Sequence, residues 1–235
     1  MTSPRSVTTV DGAQVPLHDV LAPRPVVEHT LVHQGAIWDL VRDRVDLGAG
    51  EDGRPVVVAR EYVDHTGAVG VLVLDDDDRV LVLRQYRHPV RHELWEIPAG
   101  LLDVPGEDPF AAARRELAEE ADLEAADWHV LVDTCTTPGG STEALRVYLA
   151  RSPRAVDGPA FAREHEERDM LVGWVPLDDV VAAVLAGDVH NPTICVGVLA
   201  AAVARGQDWA TLRPADAPWP TRSPGRGRAA DVPAG

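Results

Sequence analysis

Three glutamates, Glu116, Glu119 and Glu120, stand within five positions of one another in the run "RRELAEEADL", directly after Arg115. On a helix each residue turns by about 100°, so the three carboxylates share one arc. Phe110, Ala113, Leu117 and Ala121 fall on the neighbouring arc and suit burial against a sheet. Like charges at these spacings cost a few tenths of a kcal/mol per pair, and more when partly desolvated. A hard divalent cation offsets that repulsion, because Mg2+ takes carboxylate and water oxygens and completes its shell with phosphate oxygens. The competing reading is a solvated acidic face without chemistry. In either case the glutamates are expected on an exposed face of the helix.

The rest of the chain narrows the choice. Its 235 residues carry a formal net charge of -16, which argues against nucleic acid as partner, since neutralising a phosphate backbone needs a basic surface. A phosphorylated small molecule remains compatible where a cation and a few arginines reverse the local field. The chain has no lysine, so Schiff-base and P-loop lysine chemistry are excluded. No window approaches the roughly 18 to 20 apolar residues of a membrane span, and no apolar leader follows the start; a cytoplasmic protein without membrane contact is expected. Cys135 and Cys195 sit among apolar residues without a second ligand at metal spacing, and are expected to be buried thiols.

The elements that must position the glutamates are legible from periodicity. "VVEHTLVHQGAIWDLVRDRVDL" and "RPVVVAREYV" alternate like strands, and "GAVGVLVLDDDDRVLVLRQYR" reads as a hairpin turning at Asp75 to Asp78. A helix is predicted from Pro109 to Ala121, with Asp108 as N-cap and proline at the first helical position. Strands follow at "WHVLVDT", "ALRVYLA" and "MLVGWV", then helices at "LDDVVAAVLAG" and "TICVGVLAAAVARG". Such a mixture predicts an α+β protein built as an α/β/α sandwich with a mixed sheet. The expected organisation is a flexible extension over 1–25, a β-rich arm over 26–65, a catalytic domain over 66–205 and a disordered tail over 210–235.

The segment from Gly100 through Glu107, Arg115, Glu116, Glu119 and Glu120 to Leu123 resembles the Nudix box of the Nudix hydrolases, written G-x5-E-x7-R-E-U-x-E-E-x-G-U with U aliphatic. Spacing and identity match from Glu107 through Glu120. Two departures stand: six residues rather than five separate Gly100 from Glu107, and Asp122 replaces the glycine that ends the helix, where a left-handed backbone is favoured. Aspartate adopts that conformation at a cost of about 1 kcal/mol. The resemblance implies the Nudix fold, with Mg2+ (or Mn2+ in its place) held by Glu116, Glu120 and Glu119 and by the carbonyl of Ala99. It implies too that Glu107 and Arg115 form a supporting ion pair.

Outside the box, "TPGGSTE", "VVAREYVDHTGAVGVL", "LRQYRHPV" and "LWEIPAGLLD" are similar to the ADP-ribose pyrophosphatase subgroup, of the actinobacterial kind with a long "AGLLDVPGE" loop. That similarity implies substrate contacts from Arg60, Arg87 and Glu143, adenine stacking on Trp38, and a loop glutamate, Glu166 or Glu167, as the base for the attacking water. It implies a homodimer, formed through an N-terminal dimerisation arm carrying Val26, Val27, Leu31, Val32 and Ile37. The expected reaction is Mg2+-dependent hydrolysis of ADP-ribose to AMP and ribose 5-phosphate. A broader nucleoside diphosphate sugar hydrolase and a non-catalytic ADP-ribose-sensing module are the alternatives.

Overall fold

The computed structural model describes residues 7–11, 13–157 and 170–222. In chain order the elements are β1 (Val7–Val10), β2 (Ala13–Pro16), β3 (Val26–Gln34), β4 (Asp39–Ala49), β5 (Pro55–Asp64), β6 (Ala68–Leu74), β7 (Arg79–Arg87), β8 (His92–Glu96) and β9 (Ala99–Leu101). There follow α1 (Pro109–Ala121), β10 (Leu123–Cys135), β11 (Ala144–Ala155), β12 (Leu171–Pro176), α2 (Leu177–Ala186), α3 (Pro192–Arg205) and β13 (Arg213–Pro214). The chain divides into two compact units, one comprising 1–32 and 41–61, the other 33–40 and 62–235.

In the first unit the segment expected as a flexible extension carries a hairpin. β1 and β2 pair antiparallel, from Val10 opposite Ala13 to Val7 opposite Pro16, and Asp11 adopts a positive φ of 48° in the turn. A three-stranded sheet in the order β3-β4-β5 follows. Val26, Val27, Leu31 and Val32 are exposed on β3. Asp43 is buried, and its carboxylate meets His29 Nδ1 at 2.6 Å.

The second unit is built on a sheet in the order β12-β7-β6-β11-β10-β13, with β8 paired to β7 and β9 to β6. It is mixed: β6 and β11 run parallel while β7, β9, β10, β12 and β13 pair antiparallel. Alternate residues of the two central strands face different helices. Val69, Val71, Val73, Tyr148 and Ala150 pack with Ala112, Ala113 and Leu117 of α1. Leu72, Leu74, Leu145, Val147 and Leu149 pack instead with Leu177 and Val180 of α2 and Ile194, Val198 and Ala201 of α3. A strand covered on both faces reads as a continuous apolar run, which is why "AVGVLVL" shows no polar alternation. The result is the expected α/β/α sandwich.

The acidic hairpin turn is self-capped. Asp75 accepts from the backbone N–H of Asp77 and of Arg79 and from the Arg79 guanidinium. β6 and β7 pair at Leu74 and Val80 beside this turn; away from it β9 pairs with β6 over 68–70 and β8 with β7 over 83–87, while β11 pairs along the whole of β6 and β12 along β7 from Arg79 to Arg84.

Two expectations need correction. The cysteines are not buried: Cys195 is half-buried, and Cys135 is exposed because it ends β10, where the sheet gives way to a loop. Residues 210–222 of the segment expected to be a disordered tail are built into the fold. β13 adds to β10, and Arg146, 3% exposed, donates to the carbonyls of Ala217 and Pro218 at 2.8 and 3.1 Å. The same guanidinium forks onto Asp133 at 2.7 and 3.0 Å, Arg213 adds a third bond to Asp133, and Trp219 lies over Arg146 at 4.7 Å. A buried arginine thus needs this segment to satisfy its donors, and the segment gains order in return.

Removing one partner from a buried ion pair strands the other charge, at a cost of about 3–5 kcal/mol. Because Arg213 still pairs Asp133 in Arg146→Ala, that variant should lower unfolding free energy by less than this, about 1–3 kcal/mol for the carbonyls left without a donor, and make residues 210–222 sensitive to protease. A urea midpoint unchanged from wild type would show that Arg146 does not pin the segment.

Candidate functional site

The box helix is bounded as its chemistry requires. Asp108 accepts from the N–H groups of Phe110 and Ala111 at 2.9 and 3.3 Å, with Pro109 opening the helix. At the other end Asp122 occupies the left-handed region, φ 54° and ψ 33°, and its N–H returns to Ala118. The aspartate in place of glycine therefore keeps the cap geometry.

Arg115 gathers the acids. Its Nε and Nη2 fork onto the two oxygens of Glu107 at 3.0 and 2.9 Å. Its Nη1 donates to Glu116 at 2.7 Å and to Glu119 at 3.1 Å. The hydrogen bonds to Glu107 hold the arginine well above its ordinary pKa, and the same bonds hold Glu107 below the usual carboxylate range. Burial pushes the Glu116 carboxyl up, against the pull of the adjacent guanidinium.

Glu120 departs from expectation. Instead of lying on an exposed face it is only 7% exposed, and its carboxylate accepts the Ala99 N–H at 3.0 Å. The reason is β9, which pairs with β6 from Ala68 opposite Leu101 to Gly70 opposite Ala99 and covers that side of α1. Gly100 has a steric role in the same place: a Cβ there would lie 2.0 Å from the Glu116 carboxyl carbon. Glu116 and Glu120 are thus folded over the Ala99–Gly100 edge, while Glu119 is the most exposed of the three.

The donor set is hard oxygen throughout, which suits Mg2+ or Mn2+. Among the described residues no three acidic, histidine or cysteine side chains are gathered into a metal-holding cluster; Glu116 and Glu119 are turned to Arg115 instead. The cradle over Gly100 nevertheless fits a cation. It holds the half-buried Glu116 carboxylate, whose charge burial disfavours, beside a guanidinium that two other glutamates share.

The remaining sequence candidates are placed as follows. Arg87 forks onto the buried Glu96 at 2.8 and 2.5 Å. Arg60 belongs to the first unit and donates to its own neighbour's carbonyl, Ala59, at 2.9 Å. Trp38, 43% exposed, stacks on His65 with centroids 5.3 Å apart and planes at 22°. Glu143 accepts from the Thr136 hydroxyl, and His65 Nε2 lies 3.6 Å from its other oxygen. Within the second unit, the loop that carries Glu143 is tied to Val63, whose N–H donates to the Gly140 carbonyl and whose carbonyl accepts from the Thr142 N–H. The candidate bases Glu166 and Glu167 lie outside the described residues.

Sequence reasoning missed His65 and Glu96. Glu96 had a signal: a lone acid in "LWEIP" must be paired if the strand is buried. His65 had none that separates it from the eight other histidines.

Comparisons with known proteins agree with the geometry. The model of the NUDIX domain matches residues 64–194. An ADP-ribose pyrophosphatase of Mycobacterium tuberculosis is 46% identical over 189 residues, covering 80% of this chain and 87% of that protein. An ADP-ribose pyrophosphatase of Bacillus subtilis is 32% identical over 161 residues, covering 68% and 82%. A crystal structure of an ADP compounds hydrolase superposes with a TM-score of 0.64 at 18% identity, over 81% of this chain and 98% of that one, and so shares the fold. A box helix closed by the Arg115–Glu107 pair, within a domain matched over most of its length, makes this chain a member of the NUDIX domain family.

Proposed function

We propose that this protein hydrolyses the pyrophosphate bond of ADP-ribose, giving AMP and ribose 5-phosphate. The observation that carries the reading is the folding of Glu116 and Glu120 over the Ala99–Gly100 edge, with Arg115 bridging to Glu107. The names borne by the relatives from M. tuberculosis and B. subtilis support the choice of substrate. Nudix ADP-ribose pyrophosphatases generally need divalent metal ions, and here Glu116, Glu119, Glu120 and the Ala99 carbonyl would hold Mg2+, with Mn2+ a possible substitute. When bound, the ion supplies charge neutralisation at the pyrophosphate oxygens and makes water more acidic.

The chain's own residues have separate tasks on this reading. Glu107 keeps Arg115 anchored by one edge of its guanidinium, so the Nη1 edge alone competes for Glu116 and Glu119. Arg87, oriented by Glu96, and Arg60 contact the substrate's phosphates. Trp38 supplies an aromatic face for the adenine, and Glu143 contacts the substrate from its loop. Glu166, with Glu167 as the alternative, orients the attacking water and accepts its proton as the bridging oxygen leaves with the other phosphoryl group. A positioned base of this kind contributes about 10²- to 10⁴-fold. The exposed apolar residues Val26, Val27, Leu31, Val32 and Ile37 support a homodimer formed through the N-terminal arm.

Release of AMP from ADP-ribose with Mg2+, abolished by EDTA, is the first test; equal or faster turnover of GDP-sugars would favour the broader nucleotide sugar hydrolase. Glu120→Gln should cut kcat by at least about 10²-fold, and turnover near wild type at saturating Mg2+ would remove Glu120 from the site. Because Glu120 is buried against Ala99 N–H, some loss of stability should accompany that change, so its melting curve must be read beside its rate.

Gly100→Ala, which drives a methyl group into Glu116, should raise the Mg2+ concentration needed for half-maximal rate. An unchanged Mg2+ dependence would show that Glu116 has room to spare. Glu166→Gln should lower kcat far more than KM. If Glu167→Gln alone shows that pattern the base is Glu167, and if neither does the base lies elsewhere.

A further inference from the structure

His65 is the point at which two of the proposed substrate contacts meet, and the reaction as derived so far assigns it no task. Its side chain is 8% exposed. The Gly67 N–H donates to Nδ1 at 3.0 Å, so Nδ1 is the acceptor and a neutral ring carries its proton on Nε2. Nε2 faces Glu143 at 3.6 Å, and the ring face carries Trp38. The backbone is fixed as well: the His65 N–H donates to the Thr142 hydroxyl at 2.8 Å, which in turn lies 3.1 Å from Asp64.

We propose that His65, as its neutral Nε2–H tautomer, is a positioning residue that holds the Glu143 carboxylate and the Trp38 ring in register with each other for substrate. The proposal rests on the reading of Trp38 and Glu143 as substrate contacts. Three observations carry it. The ring has one face stacked with Trp38, Nδ1 bonded to the Gly67 N–H, and Nε2 turned to Glu143 at 3.6 Å. These partners lie on separate segments of chain, the Trp38 turn, the Gly67 entry to β6 and the loop ending at Glu143. Finally, one oxygen of Glu143 is held by the Thr136 hydroxyl, and the Nε2–H faces the other at 3.6 Å, a separation that a small closure on substrate turns into a hydrogen bond. Burial lowers the pKa of His65, opposed by the nearby charges of Glu143 and Asp64, and the ring is therefore neutral near pH 7.

The variants that test this are His65→Phe, which keeps a ring for Trp38 but has no N–H, and His65→Gln, whose amide N–H can stand in for Nε2–H. Glu143→Gln and the His65→Phe/Glu143→Gln double variant complete the set. With ADP-ribose and Mg2+, His65→Phe should raise KM about tenfold while kcat stays within about threefold, and His65→Gln should recover most of the lost affinity. The double variant should be no worse than the more impaired single one, because both act through one carboxylate. A wild-type KM in His65→Phe, equal damage in Gln and Phe, or effects that multiply in the double variant would each overturn the proposal.

A second readout needs no turnover. In ¹⁵N spectra of the full-length protein His65 should show the neutral Nε2–H tautomer, and Glu143→Gln should lower the pH at which it protonates. An Nδ1–H tautomer or an unmoved titration would overturn the proposal. A wild-type protein that leaves ADP-ribose intact would instead remove the functional reading, with the spectra still deciding how His65 is coupled to Glu143.

Discussion

One guanidinium holds the acid-rich corner of this fold together. Glu107, Glu116 and Glu119 all reach Arg115, and without it the three carboxylates would stand as like charges around a helix whose neighbouring face is buried. Burial already disfavours ionised Glu116, so the arginine is what allows a dense carboxylate cluster to coexist with a packed core. A lysine could not serve in the same way. Its single ammonium has no second edge, whereas the planar fork fixes Glu107 with one edge and leaves the other toward the remaining glutamates. The loop from Gly100 to Asp108 is one residue longer than the family pattern, and it is pinned because its Glu107 end is held by this fork.

The same corner depends on the sheet. β6 is covered on both faces, by α1 on one side and by α2 and α3 on the other, so its position is fixed by packing rather than by the site. β9 then pairs with β6 for three residues, which is enough to bring Ala99 and Gly100 against α1. At that distance a side chain at 100 is impossible without moving Glu116, and the Ala99 N–H becomes available to Glu120. A backbone donor on β9, the short strand paired to the core strand β6, thus orients one carboxylate, and a missing Cβ makes room for another.

Legibility of these features from sequence followed the range of the interaction that creates them. Helix α1 could be bounded because Asp108, Pro109 and Asp122 act on their own neighbours. The central strands could be read because burial on two faces leaves an apolar run. By contrast, helical periodicity gives the direction of Glu120 but not the depth of its surroundings, which β9 supplies from elsewhere in the sheet. The segment at 210–222 reads as a tail because its composition is Pro- and Arg-rich, and what holds it is Arg146, 71 residues before Ala217. His65 is invisible for the same reason: its partners Trp38 and Glu143 are brought to it only by the fold.

Charge pairing has a consequence for how such a site can bind an anion. The chain carries -16, and the arginines nearest the proposed chemistry are already committed, Arg87 to Glu96 and Arg115 to three glutamates. Each is shaped by its carboxylate into a fixed geometry and loses net attraction for phosphate in the process. Preorganised arginines can therefore select the shape of a pyrophosphate but supply little of the field that draws it in. On the proposed reading that field comes from the divalent cation, which the carboxylates hold and the substrate's oxygens complete. Cation and substrate then strengthen each other's binding by the same factor, as linkage requires, and a protein this acidic gains its affinity for a dianionic ligand only where the ion is also present.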